Sequence, residues 1–283
     1  MVIKYLFAVL VLITGALGWM YFGIGVPEIY RELKPEVKKP HLYDNPEREI
    51  DRIRVFSFYF VPKNKSSSVA SDWHSILESN LSKAQIFHSL QFRGLSEIEY
   101  AIFPEPVLGL ENNLFYDTAK TDRGNPQALL NVAEELQKRV FNKSGDLFRE
   151  EFASVENGAY PVMLIIYEGV GAVGGIIRRE KEESRDETAK RLEVDESLLF
   201  EVDVSSVDGF SLLSSAFLTR NEFKKIGSSI MTHEFYHTLG LPDAYEVPGT
   251  FEVVLSDDIT GAGRKRPLER TYLSRDNLKK LGL

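Results

Sequence analysis

The stretch "YPVMLIIYEGVGAVGG", Tyr160 to Gly175, restricts the fold more than any other part of the chain. Its first eight residues carry no charge and show no polar face, so a strand made from them must be covered on both sides. That is the signature of a central strand, and the glycine-rich run after it reads as a turn at a sheet edge. Upstream, "RIRVFSFYFV" (Arg52–Val61) and "EIEYAIF" (Glu97–Phe103) have the β-branched and aromatic content of strands. Between and after them lie two helical patterns. "SDWHSILESNLSKAQIF" opens at Ser71, a residue suited to an N-cap, and sets Trp73, Ile76, Leu77, Leu81 and Ala84 at helical spacing. "NPQALLNVAEELQKRVF" (Asn125–Phe141) has proline at its first helical position. Strands alternating with helices predict an α/β sheet with helices packed on it.

Farther along, the dense charge run "RREKEESRDETAKRLE" reads as a solvated loop or short exposed helix, and "SLLFEVDVSS" and "FSLLSSAFL" read as edge strands. The glycines of "GVGAVGG" lack both the dinucleotide-binding order and the lysine of a phosphate loop, which leaves a turn. Composition excludes further classes. With 42 acidic against 34 basic residues and a formal charge of -8, nothing favours a nucleic acid partner. Cysteine is absent, so disulfides, thiolate metal sites and a cysteine nucleophile are excluded, and any metal must be held by imidazole and carboxylate.

The N-terminus carries a separate signal. From Tyr5 to Val26 the chain has 22 uncharged residues, enough to cross the hydrocarbon core of a bilayer. The run exceeds the usual signal-peptide core and has no clean cleavage site near its end, which favours an uncleaved signal anchor over residues 1–26. Arg31, Lys34, Lys38 and Lys39 follow the span, and the positive-inside rule read literally keeps the rest of the chain in the cytoplasm. A short N-terminus with a single lysine is the usual signal-anchor arrangement and favours an extracytoplasmic domain. Residues 27–50, with four prolines and many charges, read as a stalk, and the folded domain is expected over 51–283.

The chemistry concentrates in "TRNEFKKIGSSIMTHEFYHTLG", Thr219 to Gly240. Phe223, Ile226, Ile230, Met231 and Leu239 mark an amphipathic helix that ends at a glycine suited to a C-cap. Residues four apart share a helix face, so His233 and His237 project together and can bind one metal ion through ring nitrogens. Glu234 lies beside them, placed to reach a water activated by the ion without ligating it. This is the H-E-x-x-H arrangement of zinc peptidases, in which the ion acidifies water and polarises the scissile carbonyl while the glutamate moves the proton. The other histidines, His41, His74 and His88, have no such partners and read as surface or satisfied core.

Extended to "HEFYHTLGLPDAY", the motif resembles H-E-x-x-H-x-x-G-x-x-H/D of the metzincin clan and the similar stretch of the immune inhibitor A family. Gly240 matches the glycine, and Asp243 takes the third-ligand position. The resemblance covers about Ser228 to Tyr245, with a weaker likeness of "EGVGAVGG" to the clan's edge strand above the cleft. It implies an α/β (α+β) fold, with a twisted mixed sheet, packed helices, a cleft-floor helix over 219–240 and a small C-terminal subdomain over 241–283. It also implies Zn2+ held by His233, His237 and Asp243, with Glu234 as catalytic base acting on a protein or peptide substrate. One departure stands out: in "SDDITGAG" (Ser256–Gly263) Thr260 occupies the place where the clan's methionine turn would have its methionine. That leaves open a gluzincin-like site with Glu246 or Glu252 as third ligand. A zinc domain that binds without turnover is the other alternative, and the intact Glu234 argues against it. "LSRDNLKKLGL" reads as a C-terminal helix capped by Ser274.

Overall fold

A computed structural model describes residues 39–43, 45–117, 126–136, 158–176, 209–244 and 256–283. The expected anchor over 1–26, the first part of the stalk, the charge run from Arg178, the strand "SLLFEVDVSS", Glu246 and Glu252 lie outside the described residues. Among the described residues no helix is long and apolar enough to cross a membrane.

The elements, in chain order, are β1 (His41–Leu42), β2 (Asn45–Glu49), β3 (Arg52–Val61), α1 (Trp73–Phe92), β4 (Glu97–Ile102), β5 (Val107–Leu108), α2 (Pro126–Leu136), β6 (Tyr160–Tyr167), β7 (Ala172–Ile176), β8 (Gly209–Ser214), α3 (Ala216–Thr219), α4 (Gly227–His237) and α5 (Arg275–Lys280). A mixed sheet runs in the order β4-β3-β6-β8-β7, with β5 also pairing to β3. All neighbours are parallel except β7, which runs antiparallel to β8 at the edge. The uncharged stretch from Tyr160 is indeed central, and every residue of β6 is buried.

Period-two alternation divides the core into two layers. Val55, Tyr59, Val162, Leu164 and Ile166 face α1 and α4, where Leu77, Leu81, Met231 and Phe235 meet them. Phe56, Phe58, Phe60, Met163 and Ile165 face the other way, onto Ala128, Val132 and Leu136 of α2. Helices therefore cover both faces, as the unbroken hydrophobicity of β6 requires.

Four sequence expectations change. The folded unit begins at Lys39, so residues 39–50 are not stalk. Leu42 and Ile50 are buried, and the hairpin β1–β2 is held by bonds from His41 N to Leu281 O (3.1 Å) and from Tyr43 N to Leu239 O (3.2 Å). "FSLLSSAFL" is no edge strand: its first half, β8, lies inside the sheet and its second half turns into α3. The segment 256–283 builds no core of its own, since Ile259, Leu268, Leu273 and Leu281 join the layer that holds α4. Finally, the long helix over 219–240 is interrupted. Arg220 is extended, Asn221–Phe223 forms a 3-10 turn, and α4 starts only at Gly227. A Cβ on Gly227 would stand 2.2 Å from the Phe217 carbonyl oxygen, so the chain doubles back there in a contact that glycine alone permits. Gly240, at φ 87°, then reverses the chain after α4.

Candidate metal centre

Helix α4 lies on the sheet with Phe235 and Tyr236 in the core and its histidines toward the C-terminal segment. His233 is fully buried, whereas His237 and Asp243 are partly covered. The Gly240 turn brings Asp243 back, so His233 Nε2 is 3.2 Å from Asp243 Oδ1 and 3.2 Å from His237 Nε2, and His237 Nε2 is 3.8 Å from Asp243 Oδ1. A circle through these three atoms has a radius of about 2.0 Å, the length of a zinc–nitrogen or zinc–oxygen bond.

Proton positions follow from the partners. His233 Nδ1 lies 2.8 Å from the Ile259 carbonyl oxygen and His237 Nδ1 lies 2.7 Å from that of Leu241. A carbonyl only accepts, so each Nδ1 carries the proton and each Nε2 presents a lone pair. The two lone pairs and the Asp243 carboxylate converge on one point, an arrangement that suits a bound cation. Burial, and then the neighbouring His233, hold the His237 pKa below its ordinary value, which keeps that imidazole a neutral ligand. The donor set and its outer carbonyl partners therefore fit a divalent metal such as zinc.

The Ile259 carbonyl is itself held in place. Asp258, fully buried, accepts from Thr260 N and Thr260 Oγ1 (2.7 Å each), from Asn277 Nδ2 (3.2 Å) and from Ser274 N. Thr260, in the position expected of a methionine, also receives Asn277 Nδ2 at 3.0 Å. A hydrogen-bonded knot around Asp258 thus fixes the segment that carries the Ile259 carbonyl. The α5 cap behind it is Ser274, which accepts from Asn277 N.

Glu234 turns toward the edge strand. A Cβ on Gly174 of β7 would lie 2.5 Å from the Glu234 carbonyl oxygen and 3.3 Å from its Oε2, so this glycine leaves the space that the glutamate occupies. Burial raises the Glu234 pKa above the ordinary carboxyl value; His237 opposes the rise, Asp243 adds to it and Arg264 opposes it. A raised pKa suits a carboxylate that must take up a proton near neutrality.

The structure brings the three expected ligand candidates to one point, with Glu234 next to His233 on the helix; Arg264 was not expected there. Arg264 Nη1 stands 3.2 Å from both His233 Nε2 and Asp243 Oδ1. Its one sequence signal is the basic run "GRKR" shortly after Thr260. The outer partners Ile259 O and Leu241 O are backbone atoms and leave no trace in side-chain patterns. His88 proves to be a satisfied core residue: Tyr236 Oη donates to its Nδ1 (3.2 Å), and its Nε2 donates to Ser96 Oγ (2.8 Å), which in turn donates to the Ile50 carbonyl.

No protein-family model matches the chain, and no curated protein does. Among solved structures the chain is similar to the crystal structure of metalloproteinase-II from Bacteroides fragilis, at 13% identity and a TM-score of 0.39. The match covers 80% of this chain and 52% of that one, so it spans about half of that protein's length.

Proposed function

We propose that the chain is a zinc-dependent endopeptidase in which His233, His237 and Asp243 hold the ion and Glu234 is the general base. The observation that carries this reading is the convergence of two proton-free Nε2 atoms and a carboxylate oxygen on one point, with both Nδ1 atoms committed to backbone carbonyls. A bound zinc ion supplies Lewis acidity at the scissile carbonyl and acidifies the attacking water. Glu234, adjacent to His233 in sequence and seated against the glycine of β7, accepts the proton of that water and returns it to the departing amine. With a metal ion bound, each Nε2 lone pair would be committed to it while each Nδ1 donates to a backbone carbonyl, so both rings would serve as neutral ligands. His233, His237 and Asp243 would hold the ion with three protein ligands, and catalytic zinc typically keeps a further position for water.

The uncharged run over residues 5–26 supports a second part of the proposal, that the enzyme is a single-pass membrane protein with its catalytic domain outside the cytoplasm. Zinc analysis of the full chain tests the ligand set: His233→Ala abolishes stoichiometric zinc, and Asp243→Ala weakens zinc binding at least about tenfold with the fold retained. Unchanged zinc affinity in Asp243→Ala would move the third ligand elsewhere.

A further inference from the structure

The ligand cluster already contains a cation of the chain's own. Arg264 Nη1 lies 3.2 Å from His233 Nε2 and 3.2 Å from Asp243 Oδ1, two of the three atoms assigned to the metal. Its contact is with the ligating atoms themselves, a different geometry from the usual outer partner that supports a ligand through its second oxygen or nitrogen. The His233 Nε2 lone pair can serve one partner at a time. A guanidinium cannot lose its proton to make way, so it must move.

The backbone beneath Arg264 is pinned. Gly263 packs where a Cβ would stand 2.4 Å from the carbonyl oxygens of Asp257 and Asp258, and Gly263 N bonds to Asp258 O at 2.9 Å. The 3-10 turn Ala262–Lys265 therefore cannot shift with the side chain. The side chain itself is 31% exposed, so rotation about its own bonds carries the guanidinium toward solvent.

Building on the metal-site reading above, the geometry points to Arg264 as an internal counter-ion of the ligand triad, which it holds together without metal and leaves when metal binds. Metal entry and Arg264 departure are one exchange. The arginine thus sets a threshold: it stabilises the metal-free chain and weakens apparent metal affinity, because zinc must displace a charge already bound to its ligands. An ordinary supporting residue would do the reverse.

Chelator-competition titration of the metal-free full chain with zinc tests the exchange, with Arg264→Met as the variant that keeps an unbranched apolar stem without charge or donors. Arg264→Met is expected to bind zinc about tenfold to a hundredfold more tightly than wild type, the span that changes beside a metal ligand produce. Its metal-free form should unfold at lower temperature, since Asp243 and His233 lose a donor. Equal or weaker zinc binding by the variant overturns the exchange alone, whereas no zinc binding by either chain overturns the metal site as well. A second measurement needs only wild type: zinc should accelerate phenylglyoxal modification of Arg264, read by peptide mass spectrometry. Protection of Arg264 by zinc, or no change, overturns the exchange even if the variant fails to fold.

Discussion

Gly174→Ala places one methyl group between the edge strand and helix α4, and the structure sets the scale of its effect. The new Cβ would meet the Glu234 carbonyl oxygen at 2.5 Å, while ordinary contact begins near 3.4 Å, so β7 and α4 must part by roughly 0.9 Å. The obstacle is backbone, which cannot rotate away. Overpacking of this kind costs about 1–3 kcal/mol, partly offset by the better strand propensity of alanine. The edge strand can yield outward without unfolding the sheet, and the atoms nearest the new methyl group belong to Glu234 and to none of the three ligand candidates. The displacement instead falls on Glu234, and misplacement of a catalytic group by about 1 Å is worth on the order of a hundredfold in rate. Zinc content, urea unfolding and cleavage of a fluorogenic peptide library are measured together on the same preparation. The variant should keep zinc, lose no more than about 3 kcal/mol, and lose roughly a hundredfold in kcat/KM. Wild-type kcat/KM in a variant with normal zinc would refute the placement of Glu234 against β7.

Other perturbations separate the supports of the site from the chemistry. Burial lowers the His88 pKa to about 3, below the ordinary value of 6.5, so the folded chain keeps it neutral where the unfolded chain protonates it. Its stabilising contribution is whole above pH 6.5 and is lost as pH falls toward 3. Between pH 7 and pH 5 wild type should lose about 2 kcal/mol more than His88→Phe in urea unfolding; parallel losses in the two chains would contradict a neutral buried His88. Asp258→Ala strips the acceptor from Thr260, Ser274 and Asn277 and frees the loop that carries the Ile259 carbonyl. It should cost about 3–5 kcal/mol and weaken zinc binding tenfold or more, and normal zinc affinity would show that the knot does not position His233.

The parts of the fold that the sequence displayed are those whose environment is a matter of periodicity. β3 and β6 bury alternate side chains against different helices, and no other element could absorb so continuous an apolar run. H-E-x-x-H was legible because helical spacing by itself places two imidazoles together, and Gly240 followed by Pro242 announces the turn that returns Asp243. The rest depends on partners distant in the chain. Leu42 and Ile50 are two apolar residues among prolines and charges, and only the carbonyls of Leu239 and Leu281 show that their segment is docked. The break before α4 comes from a collision at Gly227 that helical periodicity does not register. β8 resembled an edge because it contains Ser211 and Ser214, yet both are buried, and Ser214 Oγ donates to the Gly169 carbonyl at 2.6 Å. Arg264 reaches the site from a turn 21 residues after Asp243, a proximity that only folding creates.

The division of labour between Glu234 and the ligands is tested most directly by zinc content and peptidase activity measured together in Glu234→Ala. The account predicts about one zinc per chain, as in wild type, with peptide cleavage reduced by several orders of magnitude, because the ligands remain and the base is gone. Loss of zinc from this variant would make Glu234 a ligand, and retained cleavage would remove it from the chemistry; either result contradicts the account.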